Sequence, residues 1–316
     1  MMVLGFDIGG TKSAVILAKE LDGDIHFLDR VEIKTAGSWE QVVDRLIEEG
    51  LRILKSFNID SKDCRIGISC GGPLDSKRGI IQSPPNLPGW DNVYIVDYIY
   101  DRLKVKAKLQ NDADACALAE WKYGAGRGYK DIIFLTFGTG LGAGLILNGR
   151  LYTGSSNMAG EVGHIRLEED GPVGYGKSGS FEGFCSGGGI AQIAKEKAYS
   201  LEKQGLKASF MKGSIEDITT KDVADAAKRG HEDALDIFRK SGKYFGRGLS
   251  ILIDILNPEV IIVGSIYVRA GEFLNDAMYR EIERESLELS RNAVKIVPAQ
   301  LGERIGDYGA VVTALV

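Results

Sequence analysis

Val3-Leu4-Gly5-Phe6-Asp7-Ile8-Gly9-Gly10-Thr11-Lys12-Ser13-Ala14-Val15-Ile16-Leu17-Ala18 is the stretch on which the fold turns. Val3 to Ile8 is an apolar, β-prone run interrupted by Asp7, and Ser13 to Ala18 resumes that character after a tip of Gly9, Gly10, Thr11 and Lys12. Strand, tight polar tip and strand again spell a hairpin. The pattern returns further along, where Ile132 to Phe137 enters Gly138-Thr139-Gly140-Leu141-Gly142-Ala143-Gly144 and Leu145 to Leu147 meets the turn Asn148-Gly149. Neither tip leads into a helix, and the second spaces its glycines as G-x-G-x-G-x-G, so a dinucleotide-binding βαβ turn is rejected. Successive N–H groups in such tips can converge on an anion, with Thr11, Lys12 and Thr139 as added donors. One such hairpin is most simply a structural turn. Two, each polar-tipped and each following a buried strand, point to phosphate, and Asp7 is suitably typed to hold Mg²⁺ through water.

The chain has 316 residues, 44% hydrophobic and 26% charged, a balance that excludes disorder and collagen-like repeats and gives enough length for two domains. Lys and Arg number 39 against 44 Asp and Glu, a net charge of −5 with no basic block, which argues against nucleic acid as a partner. No basic head precedes an apolar signal segment, and no apolar run approaches the ~18 residues of a membrane span, so no membrane association and a cytoplasmic location are expected. Cys64, Cys70, Cys116 and Cys185 form no C-x-x-C pair and read as small buried hydrophobes.

Between the hairpins, a helix is expected from Ser38, where Ser38 and Gln41 have capping-box spacing and Val42, Val43, Leu46, Ile47, Leu51 and Leu54 share a face. Arg65 to Ser69 reads as a strand opening into Gly71-Gly72-Pro73, and Pro84 to Trp90 as an ordered, proline-rich loop. Lys106 to Gln110 leads to Asn111-Asp112 and a helix over Ala113 to Tyr123, which Asp112 is typed to cap. The second half is richer in helix: Ile190 to Leu201, Lys221 to Arg229, Glu232 to Leu256, Glu272 to Leu287 and a last one after Gly302, with strands at Glu259 to Gly264 and Val294 to Val297. Gly171-Pro172-Val173-Gly174-Tyr175-Gly176-Lys177-Ser178 matches the Walker A letters, but acidic residues precede it, and Gly179, Gly183 and Gly187 to Gly189 would break a following helix. It is read as a chance match.

Asp7 to Lys12, Pro84 to Trp90, Asn111-Asp112-Ala113, Thr136 to Gly144 and Gly160-Glu161-Val162-Gly163-His164 resemble, in order and spacing, the motifs of the ROK family of sugar kinases and sugar-responsive repressors. Leu301-Gly302, Gly306 and Gly309-Ala310 resemble its C-terminal segment. The resemblance implies an α/β, actin-like and hexokinase-like ATPase fold, two α/β domains with mixed sheets flanking a cleft. The expected domains are 1–110, joined by the C-terminal helix 302–316, and 111–301. It implies ATP as cofactor, held by Asp7, Gly9, Gly10, Thr11, Lys12, Gly138, Thr139, Gly140, Gly142 and Gly264. It implies Asp112 as the catalytic base, with a sugar bound by Gly72, Asn86, Asn111, Asp112, Glu161, His164 and Glu182. Mg²⁺ would arrive with ATP, near Asp7, and a homo-oligomer, a dimer, is expected.

The chain departs from the family pattern after His164. Relatives commonly carry C-x-C-G-x-x-G-C there, whose thiolates join the histidine on a zinc that shapes the sugar pocket. Here Gly174-Tyr175-Gly176-Lys177-Ser178-Gly179-Ser180 is one residue shorter and has no cysteine, so no structural zinc is expected, and the loop 171–182 must order itself by backbone bonding and by Tyr175 or Phe181. A second departure is Gly264-Ser265, where relatives are richer in glycine. The expected activity is a glucokinase-like transfer of the ATP γ-phosphate to a hexose, at O6 of glucose or a related sugar. The alternatives are an N-acetylmannosamine or fructose kinase and a non-catalytic sugar sensor. The sensor reading is disfavoured because little chain precedes Asp7 to form a DNA-binding extension.

Overall fold

β-branched and large apolar residues make the first two strands, and the polar tip between them forces the reversal that pairs them antiparallel with Ile8 opposite Ser13. The structure, a computed structural model, describes residues 1–316. In chain order the first elements are β1 (Met2–Ile8), β2 (Lys12–Leu21), β3 (Asp24–Lys34), α1 (Trp39–Ser56), β4 (Cys64–Cys70), β5 (Leu74–Asp75), β6 (Ile80–Ile81), α2 (Ile95–Leu103), β7 (Ala107–Asn111) and α3 (Asp112–Tyr123). Then come β8 (Ile132–Leu135), β9 (Ala143–Leu147), β10 (Arg150–Leu151), β11 (Val173–Gly174), β12 (Lys177–Ser178), α4 (Phe181–Phe184), α5 (Gly187–Glu202), α6 (Thr220–Lys228) and α7 (Glu232–Leu256). The chain closes with β13 (Val260–Val263), α8 (Ile266–Glu285), α9 (Glu288–Ala293), β14 (Lys295–Pro298) and α10 (Ile305–Leu315).

Two five-stranded sheets result, ordered β3-β2-β1-β4-β7 and β10-β9-β8-β13-β14. In the first, β1 pairs antiparallel with β2 but parallel with β4, and β4 is parallel to β7. Successive side chains of β1 leave opposite faces, so Leu4 and Phe6 join Val42, Val43, Leu46 and Ile47 of α1 in one core. Val3 joins Ala310, Val311 and Ala314 of α10 in another. Both faces are covered, which is why β1 and β2 read as nearly continuous apolar runs. The chain divides into two compact units, residues 1–130 with 144–159 and 300–316, and residues 131–143 with 160–299.

The capping box at α1 forms as its spacing indicates, with Ser38 and Gln41 exchanging side-chain and backbone bonds. Leu51, expected on the buried face, is 44% exposed, and Ile53 is buried instead. The boundary expected near residue 110 is displaced. α3 clusters with the first unit, where it packs on α10. The glycines said to break a helix do not break it: Gly187 to Gly189 form the first turn of α5, capped by the Ser186 hydroxyl accepting from Gly189 N–H at 3.0 Å. Tertiary contact overrides propensity there, because a methyl group on Gly189 would collide with the carbonyl of Gly183. The Walker-like stretch folds as the hairpin β11–β12, with no strand-to-helix turn to cradle phosphate.

Candidate functional site

The parallel register sets Ile8 beside Cys70 and Cys70 beside Asn111, so the chain leaves three neighbouring strands at one end of the first sheet. Gly9 to Lys12, Gly71 to Pro73 and Asn111-Asp112 therefore start side by side, at the strand ends where open α/β sheets place ligands. The Asn86 carbonyl lies against Gly10, its side-chain amide beside Gly71, and a methyl group on Gly72 would meet Asn111 Nδ2 at 2.9 Å. Gly72-Pro73 is cis. Four separated segments thus supply Gly10, Gly72, Asn86, Asn111 and Asp112 to one place in the first unit. The cap of α3 differs from expectation. Asn111 is the capping residue, its Oδ1 accepting from Ala113 N–H at 2.9 Å, while Asp112 is the first helical residue and accepts from the same N–H at 2.8 Å.

The first tip closes through Gly9 N–H to the Lys12 carbonyl at 3.1 Å and through the Thr35 hydroxyl to the Gly9 carbonyl at 2.7 Å. The N–H groups of Gly10 and Thr11 are left without a protein acceptor, which suits an arriving anion. Lys12 is already engaged, its ammonium 2.6 Å from Glu32 Oε1. Asp7 precedes the tip. Burial, with the Asp307 and Asp112 carboxylates nearby, pushes its pKa up to about 6 against the opposing pull of Arg30. Asp307 is itself held by Arg30 Nε at 2.9 Å and Arg304 Nε at 3.2 Å. The Asp112 side chain is open to solvent along one side yet deep among protein atoms, and that dehydration raises its pKa while the Ala113 N–H lowers it. Arg30, Thr35 and Asp307 escaped the sequence reading. Arg30 and Asp307 are 277 positions apart, and no motif joins them.

In the second unit, Thr136 clasps the second tip. Its N–H reaches the Gly142 carbonyl at 3.0 Å and its hydroxyl accepts from Gly142 N–H at 2.9 Å. The tip carbonyls of Gly138 and Thr139 accept from Gly187 and Gly188 N–H, whereas the N–H groups of Thr139 and Gly140 have no protein acceptor. Gly138, Thr139, Gly187, Gly188, Ser265 and Arg269 line part of a cavity of about 870 Å³, within the range of nucleotide-sized sites. Gly264 itself is buried against Phe134, and its neighbour Ser265 reaches the cavity.

Glu161 and His164 fall at the start and end of a 3₁₀ turn over Val162–His164, where residues three apart eclipse. The spacing of Gly160 and Gly163 has a packing cause, because methyl groups there would collide with the carbonyls of Ala143 and Leu141 respectively. The turn thereby lies flush on the chain leaving the second tip, fixed by Ala143 N–H to the Gly160 carbonyl at 2.8 Å. Glu182, in α4, accepts from Leu141 N–H at 2.9 Å. Tip, turn and α4 are one backbone-packed assembly. Its donor set does not fit the family's zinc: around His164 stand Lys177 and Tyr175 rather than thiols, and no group of three His, Cys, Asp or Glu side chains is arranged to hold a metal.

The family model for the ROK family matches residues 3–316. The chain is 32% identical over 312 residues to the glucokinase of Thermotoga maritima and 30% identical over 314 residues to that of Streptomyces coelicolor. Each match covers 98% of this chain and 96% of the relative. Among solved structures, a ROK family glucokinase from Streptomyces griseus in complex with glucose and AMPPNP superposes with a TM-score of 0.80 at 30% identity, covering 98% of both chains. The fold is the actin-like, hexokinase-like ATPase fold, and the chain belongs to the ROK family.

Proposed function

We propose that the protein is an ATP-dependent glucose kinase, transferring the γ-phosphate to the 6-hydroxyl of glucose. The reading is supported by likeness to glucokinases across 98% of the chain. The observation that carries it is the meeting, at one end of the first sheet, of an anion-ready tip with Asp112, a carboxylate whose pKa burial raises. Phosphoryl transfer asks for positioning, charge neutralisation and a base on the attacking hydroxyl. In this reading Asp112 takes the proton from that hydroxyl, and Gly72, Asn86 and Asn111 hold neighbouring sugar oxygens. Glu161, His164 and Glu182 of the second unit are assigned to the sugar as well. The free N–H groups of Gly10, Thr11, Thr139 and Gly140 are assigned to phosphate oxygens, and the cavity beside Ser265 to the nucleoside. Asp7, at the end of the strand that enters the first tip, is assigned as the protein contact, through water, of a divalent cation carried in by ATP. Mg²⁺ bound there would neutralise developing phosphate charge. A cytoplasmic location, where ATP is supplied, and a homodimer belong to the same reading. No helix is long and apolar enough to cross a membrane.

The test is a coupled ADP-release assay with Mg·ATP on glucose, mannose, fructose, allose and N-acetylmannosamine. Highest kcat/KM on glucose is expected. A higher value on another sugar reassigns the substrate, and no turnover on any of them, with thermal stabilisation by one, replaces the kinase by a sensor.

A further inference from the structure

The loop after His164 lacks the donors for a metal, yet it is ordered by a continuous set of protein contacts. β11 and β12 pair Val173 with Ser178 and Gly174 with Lys177. The two residues between them, Tyr175 and Gly176, both have positive φ, 45° and 74°, as a two-residue hairpin turn of the I′ kind demands. A hairpin this short is marginal alone. Gln192 of α5 meets its outer edge as a further strand would: Oε1 accepts from Val173 N–H at 2.9 Å and Nε2 donates to the Val173 carbonyl at 2.8 Å. Arg166 Nη1 donates to the Ser178 carbonyl at 2.9 Å, and the Ser178 hydroxyl donates to the Gly171 carbonyl at 3.0 Å.

The hairpin touches two residues assigned to the sugar. On one side Lys177 Nζ donates to the His164 carbonyl at 2.7 Å, and the Tyr175 ring stands edge-on to the His164 imidazole with centroids 6.4 Å apart. On the other, Gly174 packs directly on α4: a methyl group there would lie 2.7 Å from Glu182 Cβ and 2.5 Å from Gly183 N. The Ser180 hydroxyl, which caps α4 through Gly183 N–H at 3.1 Å, is 3.4 Å from the Gly174 carbonyl. Gln192 is thus tied, through β11 to Glu182 and through the whole hairpin to His164, without touching either.

We propose that the β11–β12 hairpin, clamped by Gln192 and anchored by Lys177, is a metal-free device that holds His164 and Glu182 in register for the sugar. Gln192 and Lys177 are positioning residues. Releasing either lets the hairpin lift and loosens His164 and Glu182, while the second tip keeps its own clasp from Thr136 to Gly142 and the cavity beside Ser265 keeps its lining. This rests on the glucose kinase reading for the ligand only, so glucose affinity, measured by calorimetry, is read separately from turnover.

Gln192→Ala and Lys177→Met are each expected to weaken glucose binding and raise its KM on the order of tenfold, leaving ATP KM and melting temperature essentially unchanged. Lys177→Arg, which keeps the donor, should restore most of the loss. Wild-type affinity and turnover should survive exhaustive dialysis against a zinc chelator. Unaltered glucose Kd in both variants, a parallel rise in ATP KM, or activity lost to the chelator and regained with zinc would overturn the proposal. A wild type that binds glucose but does not phosphorylate it sinks the kinase reading alone and leaves the hairpin test intact. One that binds no sugar of the panel overturns both.

Discussion

The two most informative side chains sit where the local backbone leaves little choice. Asp112 is pinned by being first in α3, immediately after its cap Asn111, so its carboxylate shares the Ala113 N–H and points out of the strand end. Asp112→Asn keeps that shape and removes the proton acceptor, so kcat should fall by ~10²–10⁴ while glucose Kd stays close to wild type. Stopped-time ADP release and calorimetry on one preparation check the split, and near-normal kcat would remove Asp112 from the base role. Ser265 is the opposite kind of residue. It stands between β13 and α8 at φ 49° and ψ −106°, a backbone region that suits glycine, and its side chain makes no capping bond. It lines the cavity of the second unit. Ser265→Gly should raise unfolding free energy by about 1 kcal/mol in urea titration. An unchanged or lower value would mean that the Ser265 side chain contributes more than its backbone costs.

Elements with strong periodicity were readable and those shaped by contact were not. α7 reads correctly over Glu232–Leu256 because its buried residues recur at helical spacing and Asn257-Pro258 stops it. β3 went unseen because its long Asp24–Lys34 run is mostly exposed and charged, the dress of an edge strand. α2 has no side-chain cap bond at Tyr94 to announce it. The motifs were legible as a set of letters, but the meeting of Gly10, Gly72, Asn86, Asn111 and Asp112 within the first unit depends on strand register, and the Arg30–Asp307 pair depends on the return of α10, which no local pattern carries. The 3₁₀ turn with Glu161 and His164 shows the limit of letter-reading, since Gly163 is required by the carbonyl of Leu141. Gly163→Ala should therefore cost about 1–3 kcal/mol of stability and raise the sugar KM, with ATP KM less affected. Urea titration and initial-rate kinetics test this. A neutral substitution would show that the turn rides free of the tip.

At the scale of the molecule, the C-terminal segment completes the first unit, and the site's electrostatics come with it. Glu120 of α3 accepts from the N–H groups of Gln300 and Leu301, both at 2.9 Å, guiding the chain back so that α10 covers Val3 and Ile16. That return brings Asp307 toward Asp7, and Gly306 so close that a methyl group there would meet Asp7 Oδ2 at 2.7 Å. Folding thus concentrates carboxylates that repel one another, partly balanced by Arg30 and Arg304. The stability consequence has a definite sign. Because the Asp7 pKa rises from 3.8 to about 6 on folding, its protonation favours the native state. The contribution is full below pH 3.8 and is lost as pH rises through about 6. At neutral pH the ionised Asp7 is a burden of up to about 3 kcal/mol, from a shift of roughly two units. Asp7→Asn should accordingly unfold at higher urea than wild type at pH 7.5, with the difference shrinking toward pH 4, while turnover falls, as the proposed contact of Asp7 with the cation requires. Urea titrations of both proteins across that pH range, with ADP release at pH 7.5, decide it. A variant less stable than wild type at pH 7.5 would mean that Arg30 and the helix N-terminus of α10 more than compensate the buried charge, and the pH-dependent cost would have to be sought at Asp112 instead.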